Sequence, residues 1–122
     1  MTLSNEMPRY PVTTWNPDGY KVLKEDFYLN GDKVKAGQRI NGASVPSLLH
    51  FYADDDGELF PASIVHDEDY DSNPRGRTRG EADDRFYSNM ILTGVRFTKA
   101  WAAWAGVRTF GWMFYKGGKQ DD

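Results

Sequence analysis

"IVHDEDYDSNPRGRTRGEADDRFYSNM", residues 64–90, decides how this chain is organised. At its centre stands Asn73-Pro74. A residue before proline is disfavoured in the α region, so one helix, expected over 61–71, ends there. A second helix is expected over 79–93, with Gly94 as its C-terminal cap. Pro61 suits the first turn of the first helix. On that helix Ala62, Val65, His66 and Asp69 fall near one face, and Tyr70 lies one turn beyond His66. On the second, Ala82, Phe86, Tyr87, Met90 and Ile91 form the apolar stripe, with Asp83 beside it.

A third helix is expected over 97–115, turning Ala100, Trp101, Trp104, Val107, Phe110 and Met113 inward. Upstream the pattern changes. Tyr20, Val22, Phe27 and Leu29 give patchy alternation, and Asn30-Gly31 is a strong hairpin turn because both residues tolerate positive φ. Lys33–Lys35 is the expected partner strand, closed by Gly37. Arg39–Ser47 is expected as a loop with Asn41-Gly42 at its turn. Pro46 can open a short helix, PSLLHFY, with Ser44 as a candidate cap. ADDDGELF is expected as an exposed acidic turn. Its fit to a calcium loop fails, since Tyr52 and Ser63 would take the first and last ligand positions.

The expected class is α+β, a small N-terminal β-hairpin packed on a three-helix core. Residues 1–19, with Pro8, Pro11, Pro17 and Gly19, are expected as an extended arm docked through Tyr10, Val12 and Trp15. Residues 20–116 form a single globular domain, and 117–122 a flexible tail. The length of 122 residues suits one domain with a modest core. Aromatics at 15% must supply much of the buried area.

The net charge is −3, which gives no global attraction for nucleic acid. The one candidate basic patch is Arg75, Arg77 and Arg79, which could meet phosphate or an acidic partner. The bland alternative is a solvated turn, with Arg79 anchoring a neighbouring carboxylate. With no cysteine there is no disulfide and no thiolate zinc site. No apolar run approaches the ~20 residues of a membrane span. The N-terminus has no basic start leading into an apolar run, which excludes a secretory signal and fits folding in a cytoplasm.

The chemistry concentrates in the two-helix stretch. A carboxylate that accepts a hydrogen bond from one imidazole nitrogen fixes the tautomer and leaves the other nitrogen free to take a proton. Asp83 on a facing helix could do this for His66, and Tyr70 could hydrogen-bond Asp83. Asp67 is about 100° further round the helix and points elsewhere, where it could hold a cation. Two bland readings stand beside this: a buried His–Asp pair that only ties two helices, and HDEDYD as a solvated acidic face. The rings of the third helix are core by their spacing. Trp112 exceeds one stripe and is a candidate exposed contact.

Four pieces carry a family resemblance: Asn41-Gly42-Ala43-Ser44-Val45-Pro46, Ala62-Ser63-Ile64-Val65-His66-Asp67-Glu68-Asp69-Tyr70, Arg79-Gly80-Glu81-Ala82-Asp83-Asp84-Arg85-Phe86 and Gly106-Val107-Arg108-Thr109-Phe110-Gly111. In order and spacing they resemble an uncharacterised bacteriophage and prophage family, the domain of unknown function numbered 1353. The His-Asp…Asp pattern is also similar to the two-helix core of phospholipase A2 domains. That second resemblance implies His66 as base, Asp67 as calcium ligand, Asp83 as the group orienting His66, and Tyr70 as support for Asp83. No Y-x-G-x-G calcium loop precedes the first helix. The nearest candidate is the loop at Asn41, where the family more often has aspartate; an asparagine weakens a hard-cation site.

The resemblances imply two functions. One is a virion protein of tail or neck, or an adaptor, with a mainly structural His–Asp pair and contacts made by the aromatic helix and the arm. The other is a phage hydrolase of ester or cell-envelope substrates. The expected partners are other virion proteins or the host cell envelope, with nucleic acid third. The expected location is the virion or the host cytoplasm.

Overall fold

The computed structural model describes residues 10–17, 21–40 and 58–118. The fold is α+β. Five short strands come first: β1 Thr13–Trp15, β2 Lys21–Leu23, β3 Phe27–Leu29, β4 Asp32–Val34 and β5 Arg39–Ile40. Three helices follow: α1 Phe60–Tyr70, α2 Arg79–Leu92 and α3 Phe97–Phe110, continued by a 3-10 turn at Gly111–Met113.

The hairpin at Asn30-Gly31 forms between β3 and β4, pairing Phe27 with Val34 and Leu29 with Asp32. Asn30 and Gly31 both sit at positive φ, as a two-residue turn of this hand requires. The partner strand starts one residue earlier than the sequence suggests. The hairpin is not alone. β1, β2 and β5 form a second antiparallel sheet with β2 in the middle. The stretch expected as an irregular arm thus holds an edge strand, and the loop expected from Arg39 begins as a strand. The missed signal is weak because each strand is only two or three residues long. The Asn41-Gly42 turn, the Pro46 helix, the acidic turn up to Gly57 and most of the tail lie outside the described residues.

α1 is the centre of the molecule. On one side Phe60, Ile64 and Val65 pack with Leu23, Phe27, Leu29 and Val34 of the strands. On the other, Leu59 and Ala62 join Phe86, Met90, Val95, Ala100, Ala103 and Val107. Flanked by strands and helices, α1 buries all its residues but Asp67. HDEDYD is therefore no solvated face, since Glu68 and Asp69 are both buried. α2 starts at a capping box. The Thr78 hydroxyl accepts from the Glu81 amide at 3.1 Å, and Glu81 accepts from the Thr78 amide at 2.8 Å.

α3 departs from its expected stripe. Its buried residues are Ala100, Ala103 and Val107, while Trp101 and Phe110, and Met113 beyond the helix, are exposed. Small residues let α3 approach α2 closely, so the inward face is alanine and valine and the large rings are turned to its flanks. The α-helix also stops at Phe110, five residues before the expected end.

Candidate functional site

The α1–α2 hairpin positions the site. His66 stacks on Phe86 with ring centroids 4.4 Å apart. Tyr70, one turn further along α1, reaches Asp83, nearly one turn earlier on α2. The helices therefore run antiparallel across the 71–78 loop. His66 Nε2 lies 2.8 Å from Asp83 Oδ1, and the Tyr70 hydroxyl donates to the same oxygen at 2.6 Å. The other oxygen, Oδ2, accepts from Arg108 Nη1 at 3.0 Å and lies 3.5 Å from Arg79 Nη1. Asp83 is thus a carboxylate with both oxygens occupied, at 0% exposure. His66 is only 2% exposed, between the Tyr70 and Phe86 rings.

The electrostatics follow from this burial. Removal from water pushes the Tyr70 phenol well above its ordinary range, and the Asp83 charge beside it adds to the rise. Tyr70 is therefore a fixed neutral donor. Asp83 keeps its charge company with two guanidinium groups, which a buried carboxylate needs.

Arg108 was not singled out as a site residue by the sequence. Its contact with Asp83 spans 25 positions, and its place in the Gly106–Gly111 piece was the one signal that could have pointed to it. Arg79 also donates to the Val107 carbonyl at 3.1 Å and the Arg108 carbonyl at 3.3 Å, which ties the last turns of α3 to the start of α2.

The basic loop is committed to internal carboxylates. Arg75 bonds Asp69 at 2.7 Å and Glu68 at 2.6 Å, and also the Lys33 carbonyl at 3.0 Å. Arg77 bonds Asp69 at 2.9 Å and Asp32 at 3.0 Å. Burial alone would lower the Arg77 pKa, yet the pairs with Asp69 and Asp32 outweigh it and raise it. Arg75, Arg77 and Arg79 do not form an open basic patch for phosphate. They neutralise the buried acids of α1 and α2 and pin the β3–β4 hairpin to the loop. Anchoring of a neighbouring carboxylate, the alternative for Arg79, is what this geometry gives.

The two candidate metal residues are Asp67 and Asn41. Asp67 is partly exposed on α1, and Asn41 lies outside the described residues. Among the described residues no group of three or more histidine, aspartate or glutamate side chains could hold a metal ion. Trp112 is 61% exposed. No described helix is long and apolar enough to cross a membrane.

A short antiparallel helix pair locked by a buried His–Tyr–Asp–Arg cluster, beside small sheets, is the class of domain these features define. The chain belongs to the DUF1353 family of proteins of unknown function, whose family model matches residues 21–107. That span holds the strands from β2 onward, both helices of the hairpin and most of α3. No curated protein and no solved structure matches the chain.

Proposed function

We propose that this chain is a bacteriophage virion component of tail or neck, or an adaptor, in which the His66–Asp83 pair is a structural tie. The phage assignment rests on the family resemblance carried by the four sequence pieces. The non-catalytic role rests on one observation: His66 and Asp83 are buried, and both Asp83 oxygens are engaged by side chains of α1 and α3. A general base must come within about 3 Å of the proton it takes, directly or through one water. An imidazole covered by two rings in the core serves packing better than proton transfer.

A second reading has its own support. The pair has the orientation of an acid–base dyad, with Nε2 directed at the carboxylate and Nδ1 as the remaining nitrogen. In that reading the protein hydrolyses esters or a cell-envelope component, with His66 as base, Asp83 as orienting group and Tyr70 as its support.

Mass spectrometry of purified phage particles tests the virion role; the protein should be present in stoichiometric amount. An ester-hydrolysis assay with and without calcium separates the two readings. The structural reading expects no turnover in either condition, and turnover lost in His66→Ala would establish the hydrolase.

A further inference from the structure

After α3 the chain turns back onto the end of α1. The 3-10 turn and the residues that follow it, Gly111–Gly117, form a strap with two different sides. Trp112 and Met113 are 61% and 53% exposed and make its outer side. Gly111 and Tyr115 make its inner side. Gly111 backs onto the Tyr70 hydroxyl with no room for a side chain between them. The Tyr115 ring meets the Tyr70 ring edge-on, with centroids 5.2 Å apart.

This strap covers the His66–Asp83 cluster on the Tyr70 side. Tyr70 stands between the two, with its ring 4.2 Å from that of His66 and its hydroxyl on Asp83 Oδ1. It is the last residue of α1, so no further helical turn shields it. It is buried instead in a small cluster with Ala82 and Tyr115, against which Phe114 packs. Two of those three neighbours belong to the strap.

The strap is held lightly. The Lys116 amide donates to the Tyr70 carbonyl at 2.6 Å, and the Tyr115 hydroxyl donates to the Arg77 carbonyl at 2.7 Å. The Asn73 amide adds longer contacts to the Tyr115 hydroxyl and the Gly117 carbonyl, both at 3.4 Å. All of these join neutral groups. The structure beneath is held by charge, with Arg79 and Arg108 on Asp83, and Arg75 and Arg77 on Asp69. Hydrogen bonds between charged groups are about twice as strong as neutral ones. After Met113 the strap enters no described helix or strand, so lifting it breaks no ladder. Few buried apolar contacts and few backbone bonds mark a segment that opens by itself while the rest stays folded.

We propose that Gly111–Gly117 is a gate on the His66–Asp83 cluster, which opens locally and admits water and small molecules to Tyr70, Asp83 and His66. With the strap lifted, the Tyr70 ring loses the cover on its outer edge, and the Asp83 oxygen it bonds becomes open to solvent. The inference rests on neither functional reading, since a gate admits water whether His66 ties two helices or takes a proton. The competing picture is a fixed plug that parts only when the whole chain unfolds.

The test follows two rates on the full chain. Diethyl pyrocarbonate labels an accessible imidazole, and peptide mass mapping separates His66 from His50. Hydrogen exchange of the Lys116 amide, followed by NMR, reports the strap itself. A local gate exposes little surface, so low urea should leave both rates unchanged. Tyr115→Phe keeps the ring and removes the bond to the Arg77 carbonyl, and should speed both rates about fivefold. Tyr115→Ala also withdraws the buried ring and should speed them about tenfold or more, with circular dichroism showing that the helices remain. His66 labelling that climbs with urea as steeply as global unfolding would overturn the proposal in favour of the fixed plug. Labelling at the wild-type rate in both variants would overturn it as well. Neither readout needs turnover, so a failure here is distinct from a failure of either functional reading.

Discussion

Gly111 lies against the ring of Tyr70 so closely that no side chain fits between them. A Cβ at Gly111 would collide with the Tyr70 hydroxyl oxygen and stand 3.1 Å from Cζ. The turn after α3 thus holds Tyr70 on Asp83. The Lys116 amide reinforces it by donating to the Tyr70 carbonyl at 2.6 Å. Gly111→Ala should overpack this contact and cost about 1–3 kcal/mol. Urea unfolding measures it, and an unchanged midpoint would show that the turn can yield.

Asp83 is the hub of the cluster, so its removal should cost more than that of any one partner. Asp83→Ala removes the acceptor shared by His66 and Tyr70 and the carboxylate that faces the Arg79 and Arg108 guanidinium groups. The expected loss is about 3–5 kcal/mol, the range for breaking a buried charge pair. A smaller loss for Asp83→Ala than for His66→Ala would contradict this ranking.

Tyr70 sets a pH dependence with a definite sign. Its folded pKa is raised above the ordinary 10.0, by burial first and by the Asp83 charge second. The unfolded chain therefore releases this proton at lower pH than the folded one. The contribution is fully present below about pH 10 and is lost as pH rises beyond it. Stability of wild type relative to Tyr70→Phe should be constant through neutral pH and shrink in alkali. A difference that grows above pH 10 would reverse the sign.

Arg77→Ala should destabilise the chain by about 1.5–3 kcal/mol, the usual scale for hydrogen bonds to charged groups. It leaves buried Asp69 with Arg75 alone and frees Asp32 from one of its guanidinium partners. The effect should appear in chemical denaturation without any change in affinity for inorganic phosphate. Phosphate binding by wild type that Arg77→Ala abolishes would restore the basic loop as a ligand site.

The sequence made some of this legible and not the rest, for physical reasons. Asn30-Gly31, Asn73-Pro74 and Gly94 act through local backbone preference, so the hairpin and the helix limits could be read directly. The His66–Tyr70–Asp83 geometry followed from helical periodicity and one short loop. The long-range partners did not. Arg108 reaches Asp83 from another helix, and Arg75 and Arg77 reach Asp69 and Asp32 through a folded loop. Long flexible side chains carry no periodic signal of what they will meet. α3 misled because its aromatic rings obey a helical period, yet alanines set its distance from α2.

Buried Asn89 offers a smaller check. Its Oδ1 accepts from Asn30 Nδ2 at 3.0 Å, joining the β3–β4 turn to α2, while its own Nδ2 has no partner. Because a buried polar group left without its partner costs about 1–3 kcal/mol, Asn30→Ala, which removes the donor to Asn89 Oδ1, should destabilise the chain on that scale. An unchanged thermal melting midpoint would mean that the Asn30 contact contributes nothing.

The central claim is that His66 ties two helices together. Chemical unfolding of wild type and His66→Ala, with ester hydrolysis measured on the same samples, tests it most directly. The account predicts a loss of about 1–3 kcal/mol, because Asp83 loses a buried partner, and no hydrolysis by either protein. Unchanged stability together with a roughly hundredfold fall in a measurable hydrolytic rate would contradict it and make His66 a general base.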